Sequence, residues 1–162
     1  LSREMNLQQL NLSRTPSTFT SEGNGTIEAA FDKIAVDVEF VIEKGAVDST
    51  FTGKTKGITV SATSTKKAIA LEFGKLVKDA DLSFGKGADS IIFGGAVKGL
   101  NSVDLGDDGK VDIVTIEKPN KIKESLTITN AGGKDIFIIA GDEFTAIELV
   151  ENPFNNLNIQ LG

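Results

Sequence analysis

From residue 57 onward the chain is written in short apolar runs. Pairs and triplets of Val, Ile, Leu and Phe are separated by Gly, Asp, Asn and Lys, as in GITVSA, AIALEFG, NSVDLGDDGKVDIVTI and NLNIQLG. Four to six residues is strand length, and punctuation this frequent predicts a β fold made of small units. Upstream, Ile34, Val36, Val38, Phe40 and Ile42 alternate with a set that includes Asp37, Glu39 and Glu43, and the pattern ends at Gly45. β-Branched and aromatic residues at every second position, with the charges between them, predict a half-buried strand over about 33–43. Ile27, Phe31, Ile34, Val38 and Val41 also fit a helical spacing, so residues 26–32 stay open between strand and helical turn.

The apolar runs after residue 57 repeat. Asp89, Asp112 and Asp135 recur at intervals of 23, and the same shift aligns four columns of apolar residues. The columns are Ala80/Val103/Leu126, Leu82/Leu105/Ile128, Ile91/Val114/Phe137 and Phe93/Ile116/Ile139. Each unit reads as strand, tight Gly/Asp turn, strand and longer loop. Residues 57–162 hold a little under five such units. Period-2 alternation inside a repeat with Gly-rich corners predicts an all-β fold, a short parallel β-solenoid with coils of about 23 residues in which like residues stack along the axis. The alternative is an antiparallel β-sandwich, because Gly-Gly and Asp-Gly also make hairpin turns; hairpins, however, do not require aligned columns at a fixed period. The expected organisation is an N-terminal arm over 1–25, an N-terminal β segment or cap over 26–56 and solenoid repeats over 57–162. The arm is polar and carries few large apolar residues, among them Leu7, Leu10 and Leu12. Read functionally, it lays those leucines on a neighbouring subunit; the plainer reading is a frayed terminus.

Composition removes whole classes of chemistry. The 162 residues include no Cys, His, Trp or Tyr, and Phe is the only aromatic. A Cys nucleophile, a His-based triad and a zinc-finger site are therefore excluded. A net charge of −6 argues against phosphate-backbone binding, so no nucleic-acid partner is expected. No apolar run approaches the ~18 residues of a spanning helix and no signal-peptide pattern stands at the start, so a soluble chain with no membrane partner is expected. Carboxylate pairs such as Asp107/Asp108 and Asp142/Glu143 raise a β-helical polysaccharide-degrading enzyme. Sugar sites usually stack rings on Trp or Tyr, which this chain lacks, and no enzymatic activity is expected.

Two constellations stand out. Gly85-Lys86-Gly87-Ala88-Asp89-Ser90-Ile91 matches the core of a calcium-binding nonapeptide, and Asp104, Asp107, Asp108 and Asp112 form the densest oxygen cluster. The related motifs recur every 23 residues rather than every nine, and Lys86, Lys110 and Lys134 stand where further ligands would be. Asp side chains capping turn amides are the preferred reading, with no cofactor expected. The second constellation is apolar. If Ile91, Phe93, Val114, Ile116, Phe137 and Ile139 face inward, then Ile92, Ile113, Ile136 and Ile138 face outward as a stripe that a monomer should not leave wet. Either residues 26–56 cover it or it is a subunit interface.

The turns and strands between Asp81 and Ile139 (ADSIIFGGAVKG, NSVDLGDDGKVDIVTI and AGGKDIFII) resemble those of repeat-bearing virion structural proteins of marine cyanobacterial viruses, with degenerate, RTX-like Gly/Asp turns. The resemblance covers about a third of the chain and does not reach its N-terminal half. It implies a non-enzymatic protein on the exterior of a virion, a capsid decoration, knob or fibre component, with other virion proteins as partners. The apolar stripe adds an expected homo-oligomer. The competing reading is a calcium-dependent secreted adhesin or carbohydrate-binding module.

Overall fold

The computed structural model describes residues 16–106, 109–130, 135–140, 147–151 and 158–161. In chain order the strands are β1 (Ser17–Ser21), β2 (Thr26–Phe31), β3 (Ala35–Ile42), β4 (Ala46–Phe51) and β5 (Thr55–Ser61). They continue as β6 (Ile69–Phe73), β7 (Val77–Ser83), β8 (Ser90–Phe93), β9 (Val97–Lys98) and β10 (Leu100–Asp104). The last are β11 (Ile113–Ile116), β12 (Ser125–Asn130), β13 (Ile136–Ile139), β14 (Ile147–Glu151) and β15 (Asn158–Leu161), with one 3-10 turn at Pro119–Lys121. Every strand pairing is parallel. Sheet A runs β1-β3-β5-β7-β10-β12-β14, with β9 also on β7, and sheet B runs β2-β4-β6-β8-β11-β13-β15. Apart from β9 and β10, which share sheet A, consecutive strands alternate between the sheets, so the chain winds as a two-sheet parallel β-solenoid. The antiparallel sandwich is thereby excluded.

The winding begins at Ser17, well before residue 57. Residues 26–56 form rungs of the same two sheets rather than a separate cap, and they cannot lie over the outer face of a sheet to which they belong. The region left open between strand and helical turn is strand β2. Coil length varies: paired residues are 20 to 25 positions apart in place of a constant 23.

Three inward columns in sheet B, headed by Ile27, Ala29 and Phe31, face at least three in sheet A, which run through Ala35, Val38 and Phe40, and together they make the core. In sheet B, Phe31, Phe51, Phe73 and Phe93 lie one above another and continue as Ile116 and Ile139. Ring centroids are 4.5, 4.9 and 5.7 Å apart along this stack, and the planes tilt by 20° or less. Offset stacking is favourable for aromatic pairs, and here the strand spacing of ~4.8 Å imposes it. Phe19 stacks on Phe40 in sheet A and meets Phe31 edge-on at 6.0 Å, which joins the two sheets at the first coil.

Sheet B keeps the columns read from the sequence: Ile91/Val114/Phe137 and Phe93/Ile116/Ile139 are each in register. Sheet A does not. Val103 pairs with Leu82 and Ile128, whereas Ala80 is followed by the buried Asn101 and then Leu126. The intervals on either side of Val103 are 21 and 25 residues, and their mean of 23 hid the slip. A shift of two residues keeps every side chain on its own face.

Where sheet B hands the chain to sheet A, one residue per coil turns left-handed. Asp37 (φ 51°), Gly57 (65°), Asp79 (56°), Gly99 (76°) and Glu124 (78°) occupy successive rungs of one column. Such a residue resets the strand's alternation: Ala35 and Val38 are both buried, while Ile34 is 41% exposed and Val36 is only half-buried. The alternation read over 33–43 therefore holds only after Asp37. Gly99 is required twice over, since a Cβ there would both strain the backbone and strike the Asp79 carboxylate of the preceding coil.

Truncating Phe51 leaves Phe31 and Phe73 facing a void, and Phe51→Ala should cost ~3–5 kcal/mol in chemical denaturation. Gly99→Ala should cost ~1–3 kcal/mol. Part of that loss should return in the double variant Gly99→Ala/Asp79→Gly, where only the backbone strain persists.

Candidate functional site

Asp89, Asp112 and Asp135 were singled out by their spacing, and the solenoid stacks them. They continue the column that begins as Ile27, Val47 and Ile69, so three carboxyl groups replace aliphatic side chains inside the coil. All three are buried. Each reaches back one coil. The Ile69 N–H donates to Asp89 Oδ1 at 2.7 Å, the Asp89 N–H to Asp112 Oδ1 at 2.7 Å and the Asp112 N–H to Asp135 Oδ1 at 2.9 Å. These amides lie just before or at the start of the sheet B strands, where the ladder does not yet serve them, and a buried N–H left unpaired is costly. The capping reading holds in place for Asp104, whose Oδ1 accepts from the Gly106 N–H of its own turn, whereas for Asp89, Asp112 and Asp135 the amide capped belongs to the neighbouring coil. Sheet A has a related device. Asn101 Oδ1 accepts from the Ala80 N–H at 3.0 Å, and its Nδ2 donates to the carbonyls of Lys98, Gly99 and Ser125.

This geometry dismantles the calcium cluster. Asp112 is fully buried with Oδ1 on an amide, whereas Asp104 is exposed on the outer face of sheet A and accepts from the Gly106 N–H at 3.0 Å. The two do not share a surface. Asp107 and Asp108, the other two candidates, lie outside the described residues. Among the described residues no group of three or more Asp, Glu, His or Cys is placed to hold a metal ion.

The isoleucine stripe is brought together. On the outer face of sheet B, Ile113 sits directly on Ile136, and Ile92 and Ile138 flank Thr115 in the adjacent column. Ile113 is 37% exposed and Val111, just before it, 41%, while Ile92, Ile136 and Ile138 are half-buried by their own rungs. The first rungs of the same face carry Glu28, Asp48 and Glu72 instead. The face is acidic over β2, β4 and β6 and aliphatic over β8, β11 and β13, and the register of β15 sets Asn158 on Ile136 and Gln160 on Ile138. Leu7, Leu10 and Leu12 of the expected arm lie outside the described residues.

The outer face of sheet A is mostly polar, although Val36, Val41 and Leu100 also lie on it. One of its columns reads Thr18, Glu39, Thr59, Asp81, Ser102, Thr127, so that hydroxyl rungs separate acidic ones. The hydroxyls of Thr18 and Ser102 donate to Glu39 Oε2 and Asp81 Oδ1 at 3.0 and 2.7 Å. Beside it lies an open groove of about 340 Å³ lined by Asp79, Asp81, Leu100, Ser102, Ser125 and Thr127, among others. Leu100, put outward by the left-handed Gly99, is 74% exposed.

The sequence reads Lys123, with Lys118 and Lys121, as a solvated loop around Pro119, and the lysine column to which it belongs is not visible there. Lys56, Lys78 and Lys98 are in strand register at the head of sheet A, and Lys123, whose N–H donates to the Val97 carbonyl, takes the next rung. The available signal was a lysine followed by the left-handed residue, in Lys56-Gly57, Lys78-Asp79, Lys98-Gly99 and Lys123-Glu124. Its spacing of 20 to 25 residues is uneven, so a search at a fixed interval passes over it.

No protein-family model matches the chain, and no curated protein or solved structure matches it either. What the site can do has to be argued from its own chemistry.

Replacing Asp112 by Ala strands the Asp89 amide in the interior and should cost ~2–4 kcal/mol in thermal unfolding. Asp112→Asn keeps an oxygen facing that amide and should lose clearly less, as Asn101 shows an asparagine can fill such a position.

Proposed function

We propose that the protein is a non-enzymatic structural module of a virion exterior, a decoration, knob or fibre component that works by lateral docking in a homo-oligomer and on other virion proteins. The observation that carries this reading is the Ile92/Ile113/Ile136/Ile138 stripe, which lies in register on the outside of sheet B. Residues 26–56, the segment expected to shield it, belong to the sheet itself. Burying aliphatic surface gains ~25 cal/mol per Å², and the four isoleucines, with Thr115 between Ile92 and Ile138, give this face an apolar patch for a partner of the same kind. The Gly/Asp turns between Asp81 and Ile139 supply the likeness to virion repeat proteins, and that likeness is what directs the reading to a particle surface.

Wild-type protein should sediment as an oligomer at micromolar concentration. Ile113→Asp/Ile136→Asp should sediment as a monomer while keeping its circular-dichroism spectrum and melting cooperatively, because both side chains point out of the core. A monomeric wild type sinks the docking claim. The gene context bears on the location: capsid or tail genes should flank the reading frame, and a secretion operon in their place overturns a virion role.

A further inference from the structure

We infer that the lysine column at the head of sheet A, together with the groove beside it, binds a linear acidic polysaccharide, a chain of sugars carrying carboxylate or sulfate groups. The inference does not rest on the docking stripe, which lies on the other sheet.

Charge is sorted sharply in this solenoid. The corner segments that lead from sheet B into sheet A (residues 32–37, 52–57, 74–79, 94–99 and 117–124) hold nine lysines and five carboxylates, a local charge of +4 in a chain of net charge −6. Among the strand residues whose side chains are described, no lysine lies on the outward face of either sheet between the corners, and the charges there are Glu28, Glu39, Asp48, Glu72, Asp81 and Asp104. On the outer face of sheet A, acidic rungs are kept apart by Thr and Ser. Lys56, Lys78, Lys98 and Lys123, in contrast, follow one another with no neutral rung between, at the strand spacing of ~4.8 Å. Like charges stacked directly are destabilising. Asp79 offsets one of them, with Lys78 Nζ at 3.9 Å from Asp79 Oδ2. Among the described residues Lys56, Lys98 and Lys123 have no carboxylate within ion-pair distance, and all three are exposed.

The shape of this cationic line selects its ligand. It runs along one corner, with Glu39, Asp81 and Asp104 on the sheet A side and Asp48 and Glu72 on the sheet B side of its first rungs, and its charges step at a distance close to the length of one sugar in an extended glycan. A duplex nucleic acid, broad and with phosphates every ~3.4 Å on each strand, would bring its charge against Glu39 and Asp81. A thin chain carrying one anion per sugar or per disaccharide avoids them. The groove of about 340 Å³ then lies where the uncharged edge of such a chain would run. Ser102, Ser125 and Thr127 offer hydroxyls, Asp81 accepts hydrogen bonds from sugar hydroxyls, and the exposed Leu100 offers an apolar surface to the ring's C–H face. No bond is made or broken; the site is a binding site.

The test is equilibrium binding of the full chain to polygalacturonate and to dextran sulfate, with neutral dextran and a single-stranded oligothymidylate alongside. Wild type should bind one or both acidic glycans, should ignore neutral dextran and should bind the oligonucleotide more weakly. Lys56→Gln/Lys98→Gln/Lys123→Gln should weaken glycan binding by about tenfold or more. A second lysine cluster at the opposite corner provides the control: Lys44, Lys66 and Lys67 line a groove of about 480 Å³ but sit in loops outside the strand register. Lys44→Gln/Lys66→Gln/Lys67→Gln removes the same charge and should leave affinity within about twofold. Both triple variants change only exposed side chains and should melt like wild type. Failure of wild type to bind either acidic glycan overturns the inference. So do equal losses in the two triple variants, which would mean diffuse electrostatics, and an oligonucleotide bound as tightly as the glycans. Loss of oligomerisation in the Ile113→Asp/Ile136→Asp protein does not bear on it.

Discussion

In a parallel solenoid the nearest neighbour of a side chain is its counterpart one coil away, at ~4.8 Å across the hydrogen-bond ladder. Every position is therefore a column, and each column must tolerate its own repetition. Aliphatic and aromatic residues do so readily, which is why Phe31, Phe51, Phe73 and Phe93 form a continuous stack. Charged residues do so badly, and most of the polar architecture follows from how the chain handles that. Along one outward column hydroxyls alternate with carboxylates. In the left-handed column Asp alternates with Gly from rung 37 to rung 99, so that each aspartate side chain occupies the space that a Cβ on the glycine above it would need.

Two columns break this pattern, and each has a compensating bond or a consequence. The buried Asp89/Asp112/Asp135 ladder puts carboxyl on carboxyl, but each holds an amide of the preceding coil at a place where the sheet has not yet begun. The result is a second line of inter-coil hydrogen bonds that ties loop to strand beside the hydrophobic columns. The lysine column stays in water, where screening lowers its cost, and among the described residues only Asp79 lies within ion-pair distance of it. Structure explains the first ladder without invoking a ligand; it does not explain the second.

The functional surfaces consequently run along the stacking axis, and no short stretch of sequence contains one. The isoleucine stripe draws on β8, β11 and β13, and the lysine line on the starts of β5, β7, β9 and the segment before β12. A single-residue change is then a change in one rung of a longer pattern. This is how a chain without histidine, cysteine, tryptophan or tyrosine still presents chemically distinct faces.

The sequence by itself determined the fold class, the inward columns of sheet B, the stacking of the three aspartates and the outward direction of the four isoleucines. Those follow from strand alternation and an interval of 23 residues that happens to hold between residues 89 and 139. Only the tertiary structure decided the rest. A slip of two residues is invisible to alternation, so Val103 was aligned with Ala80 when it packs on Leu82. A left-handed residue resets the phase of a strand without any hydrophobic signal, so Ile34 read as core although it is exposed. Corners of unequal length shift the spacing between coils, which hid both the solenoid character of residues 17–56 and the lysine column. Which amide an aspartate caps depends on what lies one coil away, and that neighbour is set by register in space rather than by distance along the chain.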